Sequence, residues 1–352
     1  MKFGLSEEQA FLQTTVNKFL TDQAPLAAVR EIAAGKASDV EIWQGLVQLG
    51  VPGIMIPEAL GGVGLGSLDA AVIAECLGYH VTPGPFITSA AMAPVPLIAA
   101  GREDLLAAIA RGEHRVGMAF GEAIGARNDA GVSFEAGKMT GKSIFVLDGE
   151  ADSYLIATPA KAIYWVHAGD VERTALTTVD RTRSTCELVF NATAVELICD
   201  DQETYNRTVD MGRVMQAADT LGAAQSMLDQ SVAYAKERKQ FNRLIGSFQA
   251  VKHMCADMAA DLEPCRSMIW YAAHAMDEIP DEARLVACHA KAHLSEVGKA
   301  VAKTATEVHG GMGFTDLLGL HYWFKRIGAN RQLLGSPELL REEAARIQGL
   351  VA

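Results

Sequence analysis

TVDMGRVMQAADTLGAAQSMLDQSVAYAKERKQF, residues 208–241, sets the architecture. Met211, Val214, Met215, Ala218 and Leu221 or Gly222 recur every three to four residues, the spacing of one helical face. No proline interrupts the run from Thr208 through Lys236, so the spacing predicts one long helix. Two more long helical stretches follow, Phe248–Met276 and Asp281–Val308, interrupted or bounded by Pro264 and Pro280. Long helices in succession predict a bundle.

Upstream of this run the texture changes. From about Arg115 to Asp200, short β-branched or aromatic runs alternate with Gly, Asp and Asn: Val116–Phe120, Ser143–Leu147, Ser153–Ala157, Ala162–His167 and Glu187–Phe190. Turn-like pairs, Asn128-Asp129 and Asp148-Gly149, sit between them, which predicts an antiparallel β domain. Nearer the start, Ser6-Glu7-Glu8-Gln9 has the form of a capping box, and Phe11, Leu12, Val16, Phe19 and Leu20 follow as a helical stripe. Val40–Leu49, Ser67–Leu77 and Asp104–Ala110 read as further helices. Seven of the eleven prolines fall in the first 100 residues and none between 160 and 263, which separates segments with different backbone demands. The expected division is a helical domain over 1–113, a middle β domain over 114–203 and a helical bundle over 204–352.

The chain has 31 Lys+Arg against 43 Asp+Glu, a formal charge of −12, which argues against a protein that neutralises many nucleic-acid phosphates. One anionic cofactor needs only a few local cations and stays open. Apolar residues make up 49% and charged residues 21%, enough for a sizeable core and too apolar for disorder. Six cysteines, none in a CxxC spacing, suggest core thiols in a reducing compartment and no zinc knuckle. Glu7 and Glu8 stand where an export signal would need an apolar run. The most apolar later stretch, Ala90–Ala100, is too short to span a bilayer and holds Pro94 and Pro96, so the expectation is a cytoplasmic protein.

Three short motifs carry the functional reading: Ile56-Pro57-Glu58-Ala59-Leu60-Gly61-Gly62-Val63-Gly64, Glu237-Arg238-Lys239-Gln240-Phe241 and His309-Gly310-Gly311-Met312-Gly313-Phe314. In this order and at these separations the sequence resembles the acyl-CoA dehydrogenase family over nearly its whole length. The resemblance implies an α+β, mainly α fold with a helical N-terminal domain, a middle antiparallel β domain and a C-terminal four-helix bundle. It also implies FAD and an acyl-CoA thioester. Arg238 and Phe241 match the family's RxxF element, which reaches across a subunit interface to the neighbour's FAD, the guanidinium forking onto pyrophosphate oxygens. Gln240 and Gln249 fit the same pattern. Gly310 and Gly311 match glycines that let backbone approach that FAD, and Glu307 stands where relatives commonly carry Gln.

The departures fall on one side of the site. Phe120-Gly121-Glu122-Ala123-Ile124-Gly125-Ala126-Arg127-Asn128-Asp129 lacks the hydroxyls by which relatives touch the flavin. Phe145-Val146-Leu147-Asp148 replaces a strand that ends in a flavin-contacting threonine, and the Leu147 side chain makes no hydrogen bond. The family's usual catalytic Glu falls on Leu334 or, with a one-residue slip, Gly335; the alternative base position falls on Gly212. None of these takes a proton, and losing a general base costs on the order of 10²–10⁴ in rate. Glu338 is the nearest displaced candidate, although its place in Pro337-Glu338-Leu339-Leu340 reads as a first helical turn, and Asp210 reads as an acid near a helix start.

The expectation is therefore a base-lacking subunit that completes the FAD site of a catalytic acyl-CoA dehydrogenase homologue in an α2β2 assembly. Its acyl-CoA substrate could carry a steroid side chain, and an electron-transfer flavoprotein or similar acceptor would take the electrons. The rival expectations are a self-sufficient homotetramer with Glu338 as base, and a flavin-free scaffold. No nucleic-acid or membrane partner and no metal is expected.

Overall fold

Ser6 starts the first helix. Its hydroxyl accepts from the Gln9 N–H at 3.1 Å while the Gln9 side chain accepts from the Ser6 N–H at 3.0 Å, so two otherwise orphaned donors are satisfied. The computed structural model describes residues 4–126 and 130–351. The Asn128-Asp129 pair and Met1 to Phe3 lie outside the described residues. Six helices follow one another: α1 (Glu7–Gln23), α2 (Leu26–Ala33), α3 (Val40–Gln48), α4 (Ser67–Tyr79), α5 (Pro94–Ala99) and α6 (Glu103–Ala110), with a π-helical turn over Phe86–Met92 before α5. On α1 the buried face is Val16 and Leu20, flanked by Leu12 and Phe19. Phe11 is 73% exposed, because a 3.6-residue period carries it off that face.

Eight strands form one sheet: β1 (Val116–Ala119), β2 (Gly131–Glu135), β3 (Lys138–Leu147), β4 (Ser153–Ala157), β5 (Ile163–His167), β6 (Glu172–Ala175), β7 (Thr185–Ala194) and β8 (Glu196–Cys199). Their order is β6-β7-β3-β1-β4-β5-β8, with β2 added to β3. All pairs are antiparallel except β1 with β4, which run parallel from Val116 opposite Ser153 to Ala119 opposite Ile156. The sheet is thus mixed. The chain between β1 and β4 contains two other strands and is long enough to make the crossover that a parallel pair needs. On β4, Leu155 and Ala157 join the core shared with the helices, whereas Tyr154 and Ile156 pack with Met139, Val146, Leu188 and Phe190 of the same sheet.

Asp201 caps the next helix, accepting from the Thr204 N–H at 2.7 Å, so α7 (Gln202–Glu237) begins almost two turns before Thr208. A short hairpin follows, β9 (Lys239–Gln240) and β10 (Arg243–Leu244). Then come α8 (Gln249–Glu278), α9 (Pro280–His309), α10 (Leu320–Gln332) and α11 (Pro337–Ile347). Pro280 sits in the first turn of α9, where a missing N–H costs nothing. Pro264 does not interrupt α8: it lies on the exposed face, where the carbonyl it frees is on the solvent side of the helix.

Helices α4 and α7 pack almost backbone to backbone. A Cβ at Gly78 would lie 1.9 Å from the Asp219 carbonyl oxygen, and one at Gly222 would lie 1.9 Å from that of Glu75. One core therefore runs from the N-terminal helices into the bundle, shared by residues such as Ile73, Leu77, Val214 and Leu221. All six cysteines are unbridged. Among the described residues no helix is long and apolar enough to cross a membrane, and no group of three His, Cys, Asp or Glu is placed to hold a metal.

Candidate functional site

The exposed end of the bundle gathers one set of the residues singled out above. The Arg238 N–H closes α7 on the Tyr234 carbonyl at 2.8 Å, and the Tyr234 ring packs 4.6 Å from that of His309, the last residue of α9. That contact brings the β9–β10 hairpin and the Gly310–Gly311 turn to the same end. Phe241 and Asn242 form the hairpin turn with φ of 51° and 60°, the left-handed pair of a type I′ turn. A bulky aromatic in that region is strained, which marks the position as a candidate for function. The Phe241 ring is 87% exposed, edge-on to Phe248 at 6.1 Å. The Arg238 side chain is exposed and makes no ion pair among the described residues. Gln240, Gln249 and Glu307 are exposed as well. Gly310 has φ of 58° and ψ of −140°, and added Cβ atoms at Gly310 and Gly311 would meet nothing within 4 Å.

The base positions meet in the interior. A Cβ on Gly212 would lie 2.5 Å from Leu334 Cδ1 and 2.6 Å from Met92 Sδ, so the two alternative positions are neighbours packed with apolar atoms. Leu334 is 4% exposed, and Gly335 follows it with φ of 113°. Beside them Arg213 is fully buried. Its Nε donates to the Leu334 carbonyl at 3.1 Å, and its terminal nitrogens pair with Asp210 at 3.0 Å and Glu343 at 2.8 Å. Arg284 also pairs with Asp210, at 3.3 Å, and with Glu343. Asp210 is thus an interior acid on α7 and not a helix-start one. Burial pushes its carboxyl up to about 6 against the opposing pull of Arg213 and Arg284.

Glu338 points elsewhere: its side chain is 67% exposed and pairs with Arg331 at 3.0 Å. Its own backbone N–H, the Ser336 hydroxyl and Arg331 hold its carboxyl down to about 2. Such a group is a weak proton acceptor outside the interior where Leu334 lies.

At the flavin-edge positions, Glu122 serves the sheet itself, accepting from the Ser143 hydroxyl at 2.7 Å and the Ile144 N–H at 2.8 Å. Arg127-Asn128-Asp129 of the same segment lie outside the described residues. Leu147 ends β3 at the wall of a cavity of about 750 Å³, bounded by the α2–α3 connection, Pro83 to Thr88, the β6–β7 loop, Gln216 of α7 and Leu333. Burial pushes the Asp148 carboxyl there up to about 7.

Sequence reading missed a buried charge network behind this cavity. Arg326 is fully buried, donating to the Thr82 carbonyl at 2.9 Å and pairing with Asp180 at 3.4 Å and Asp219 at 3.5 Å, while Arg183 pairs with Asp219 at 2.7 Å. An acid inside the apolar run Ala217-Ala218-Asp219-Thr220-Leu221 was the available signal.

Two family models match the chain, acyl-CoA dehydrogenase, N-terminal domain, over residues 6–113 and acyl-CoA dehydrogenase, C-terminal domain, over 203–348. The chain belongs to the acyl-CoA dehydrogenase family. Among similar proteins, acyl-CoA dehydrogenase IpdE2 of Mycolicibacterium smegmatis is 30% identical over 99% of this chain and all of its own length. IpdE2 of Mycobacterium tuberculosis is 32% identical over 95% of this chain and 96% of its own. Similar solved structures include the Tcur3481-Tcur3483 steroid ACAD, at 26% identity, TM-score 0.88 and 98% coverage of both chains. The ChsE4-ChsE5 complex from Mycobacterium tuberculosis is another, at 25% identity, TM-score 0.89 and full coverage of both. Membership of the acyl-CoA dehydrogenase family supports an oxidoreductase activity and FAD as cofactor.

Proposed function

We propose that this chain is the base-lacking subunit of a heteromeric, α2β2 acyl-CoA dehydrogenase, completing an FAD site whose catalytic carboxylate belongs to a homologous partner. The observation that carries the reading is the packing of Gly212 against Leu334 and Met92: both places where the family keeps a base are filled with apolar atoms. Two similar structures are the Tcur3481-Tcur3483 steroid ACAD and the ChsE4-ChsE5 complex, which supports a two-chain assembly and a CoA thioester with a steroid side chain as substrate class. An electron-transfer flavoprotein or similar acceptor would reoxidise the complex.

The residues fit one half of a shared FAD site. An exposed guanidinium on Arg238 suits pyrophosphate oxygens, the outward Phe241 ring suits an adenosine face, and the open Gly310–Gly311 turn admits close backbone approach, with Gln240, Gln249 and Glu307 at the rim. The other half fits poorly, since the Leu147 side chain offers no hydrogen bond to a flavin edge. When bound, FAD supplies the acceptor for the β-hydrogen leaving as hydride. This chain's part is to hold the cofactor; proton removal needs the partner's carboxylate.

Exposed, ion-paired Glu338 disfavours the self-sufficient homotetramer. The test is flavin content and turnover for the chain alone and after co-expression with a homologue that bears the Glu. The expected result is no bound flavin and no acyl-CoA oxidation alone, and one FAD per heterodimer together. Stoichiometric FAD and turnover in the isolated chain would refute the reading, and a co-purified complex without flavin would favour a scaffold.

A further inference from the structure

The β9–β10 hairpin carries a second arginine, outside the Arg238–Phe241 motif. Gln240 pairs with Arg243 and Lys239 with Leu244, and the Ile245 N–H donates to the Arg238 carbonyl at 2.8 Å, so the ladder continues by one more pair. Side chains alternate between the two faces of a ladder. Arg238, Gln240 and Arg243 therefore share one face of the hairpin, and Lys239 and Leu244 share the other. Arg238 and Arg243 are diagonal neighbours across the strands, a spacing of roughly 7–8 Å that long side chains bridge easily.

The guanidinium carbon of Arg243 lies 3.9 Å from the centroid of the Phe248 ring. An approach that close is possible only over the ring face, so the planar group spends its face on the ring and keeps its in-plane N–H donors free. The ring beneath is itself anchored, half-buried and edge-on to Phe241 at 6.1 Å. Arg243 is exposed and, like Arg238, makes no ion pair among the described residues. Elsewhere arginines find carboxylates: Arg102 pairs with Asp104, Arg115 with Asp39 and Arg331 with Glu296. Acids are not scarce in a chain with 43 of them against 31 Lys+Arg. Two like charges on neighbouring positions of one face repel, and an anion brought from outside would relieve that repulsion.

We propose that Arg243 is a second phosphate-binding guanidinium of the shared FAD site, set beside Arg238 by its stack on Phe248. The inference rests on the reading above that this hairpin holds a cofactor shared with the partner. One guanidinium forks onto the oxygens of one phosphate, so two on the same face match the two phosphates of a pyrophosphate.

The test uses the chain co-expressed with a homologue that bears the Glu, stripped of flavin and titrated with FAD, with quenching of flavin fluorescence as the readout. Arg243→Ala should raise the FAD dissociation constant about tenfold, the scale of one lost charge-assisted contact. Arg243→Lys keeps the charge and should recover about threefold or more of that loss, because an ammonium still binds phosphate as a point charge. Lys239→Ala removes an equal charge from the opposite face and should stay within about twofold of the unaltered complex, since an exposed charge that makes no contact is screened by salt. The inference is overturned if Arg243→Ala binds FAD as the unaltered complex does. It is equally overturned if Lys239→Ala weakens binding as much, which would make the effect one of net charge, or if Arg243→Lys is as weak as Arg243→Ala, which would make it one of packing. Flavin content of the unaltered complex is read first, before stripping. A complex without flavin would refute the shared-site reading and this inference together, whereas a flavin-loaded complex indifferent to Arg243 refutes this inference alone.

Discussion

Gly212 and Arg238 lie on the same helix about seven turns apart, and their surroundings are opposites. Around Gly212, Leu334 and Met92 leave no room for a Cβ, and the adjacent Arg213 is enclosed by Asp210, Glu343 and the Leu334 carbonyl. Around Arg238 the guanidinium, which makes no ion pair among the described residues, the Phe241 ring, edge-on to Phe248, and two glycines face outward. In a self-sufficient enzyme both regions would serve chemistry. Here one has the features of a core, apolar contacts and fully paired charges, and the other those of a contact surface waiting for a partner. The contrast teaches that the space around Gly212 is already filled by Leu334 and Met92, so on the proposed reading a single substitution there would not install a base.

The sharpest way to break the contrast is at Arg213. Replacing one member of a buried ion network leaves the others uncompensated, and Arg213→Leu strands Glu343 and Asp210 with Arg284 alone. The expected cost is about 3–5 kcal/mol in urea unfolding. A loss below about 1 kcal/mol would show that the buried end is not the rigid core described.

Arg238→Ala should do the reverse. An exposed side chain without an ion pair contributes within about 0.5 kcal/mol to stability. The same substitution should lower FAD affinity of the co-purified complex about tenfold or more, because a charge-assisted phosphate contact is lost. Flavin absorbance per heterodimer checks the second half and urea unfolding of the chain the first. Stability loss on the scale of Arg213→Leu would erase the distinction between the two ends.

Much of this layout is legible in sequence where the signal is local. The Ser6–Gln9 capping box forms as read, β4 spans Ser153–Ala157 as read, and the Met211–Leu221 face of α7 is buried. Where a pattern depends on distant chain, sequence is mute. The first turns of α7 carry polar residues, so its start shows only in the Asp201 cap. The parallel pairing of β1 with β4 is a long-range register that no alternation encodes. The residue types at 212, 334 and 335 show that none of the three takes a proton, but only the fold shows that Gly212 and Leu334 touch. Nothing local in the sequence marks Arg213, Arg326 and Lys291 as buried cations, because most of the groups they bond come from other elements.

The smallest expected effect separates the same two environments by pH. Burial raises the Asp148 carboxyl from 3.8 to about 7, whereas exposed Glu338 is lowered from 4.5 to about 2. With a raised value the folded chain holds a proton that the unfolded chain has released. Asp148 therefore makes stability fall as pH rises from about 4 to 7. Asp210, raised to about 6, adds to the fall over the lower part of that window. Glu338 has the opposite sign: its contribution is present above 4.5 and is lost only as pH falls toward 2, so it is flat where Asp148 acts. Burial lowers His80 from 6.5 to about 4, which makes stability rise with pH over part of the same window, so the readout is the difference between variants. In urea unfolding from pH 4.5 to 7, Asp148→Asn should remove a falling component relative to the unaltered chain, most cleanly near pH 7, where Asp210 is largely deprotonated. Glu338→Gln should leave that slope unchanged. If the Gln variant altered the slope and the Asn variant did not, the carboxyl beside the cavity would be the solvated one, and the division between a closed interior and an open bundle end would have been drawn in the wrong place.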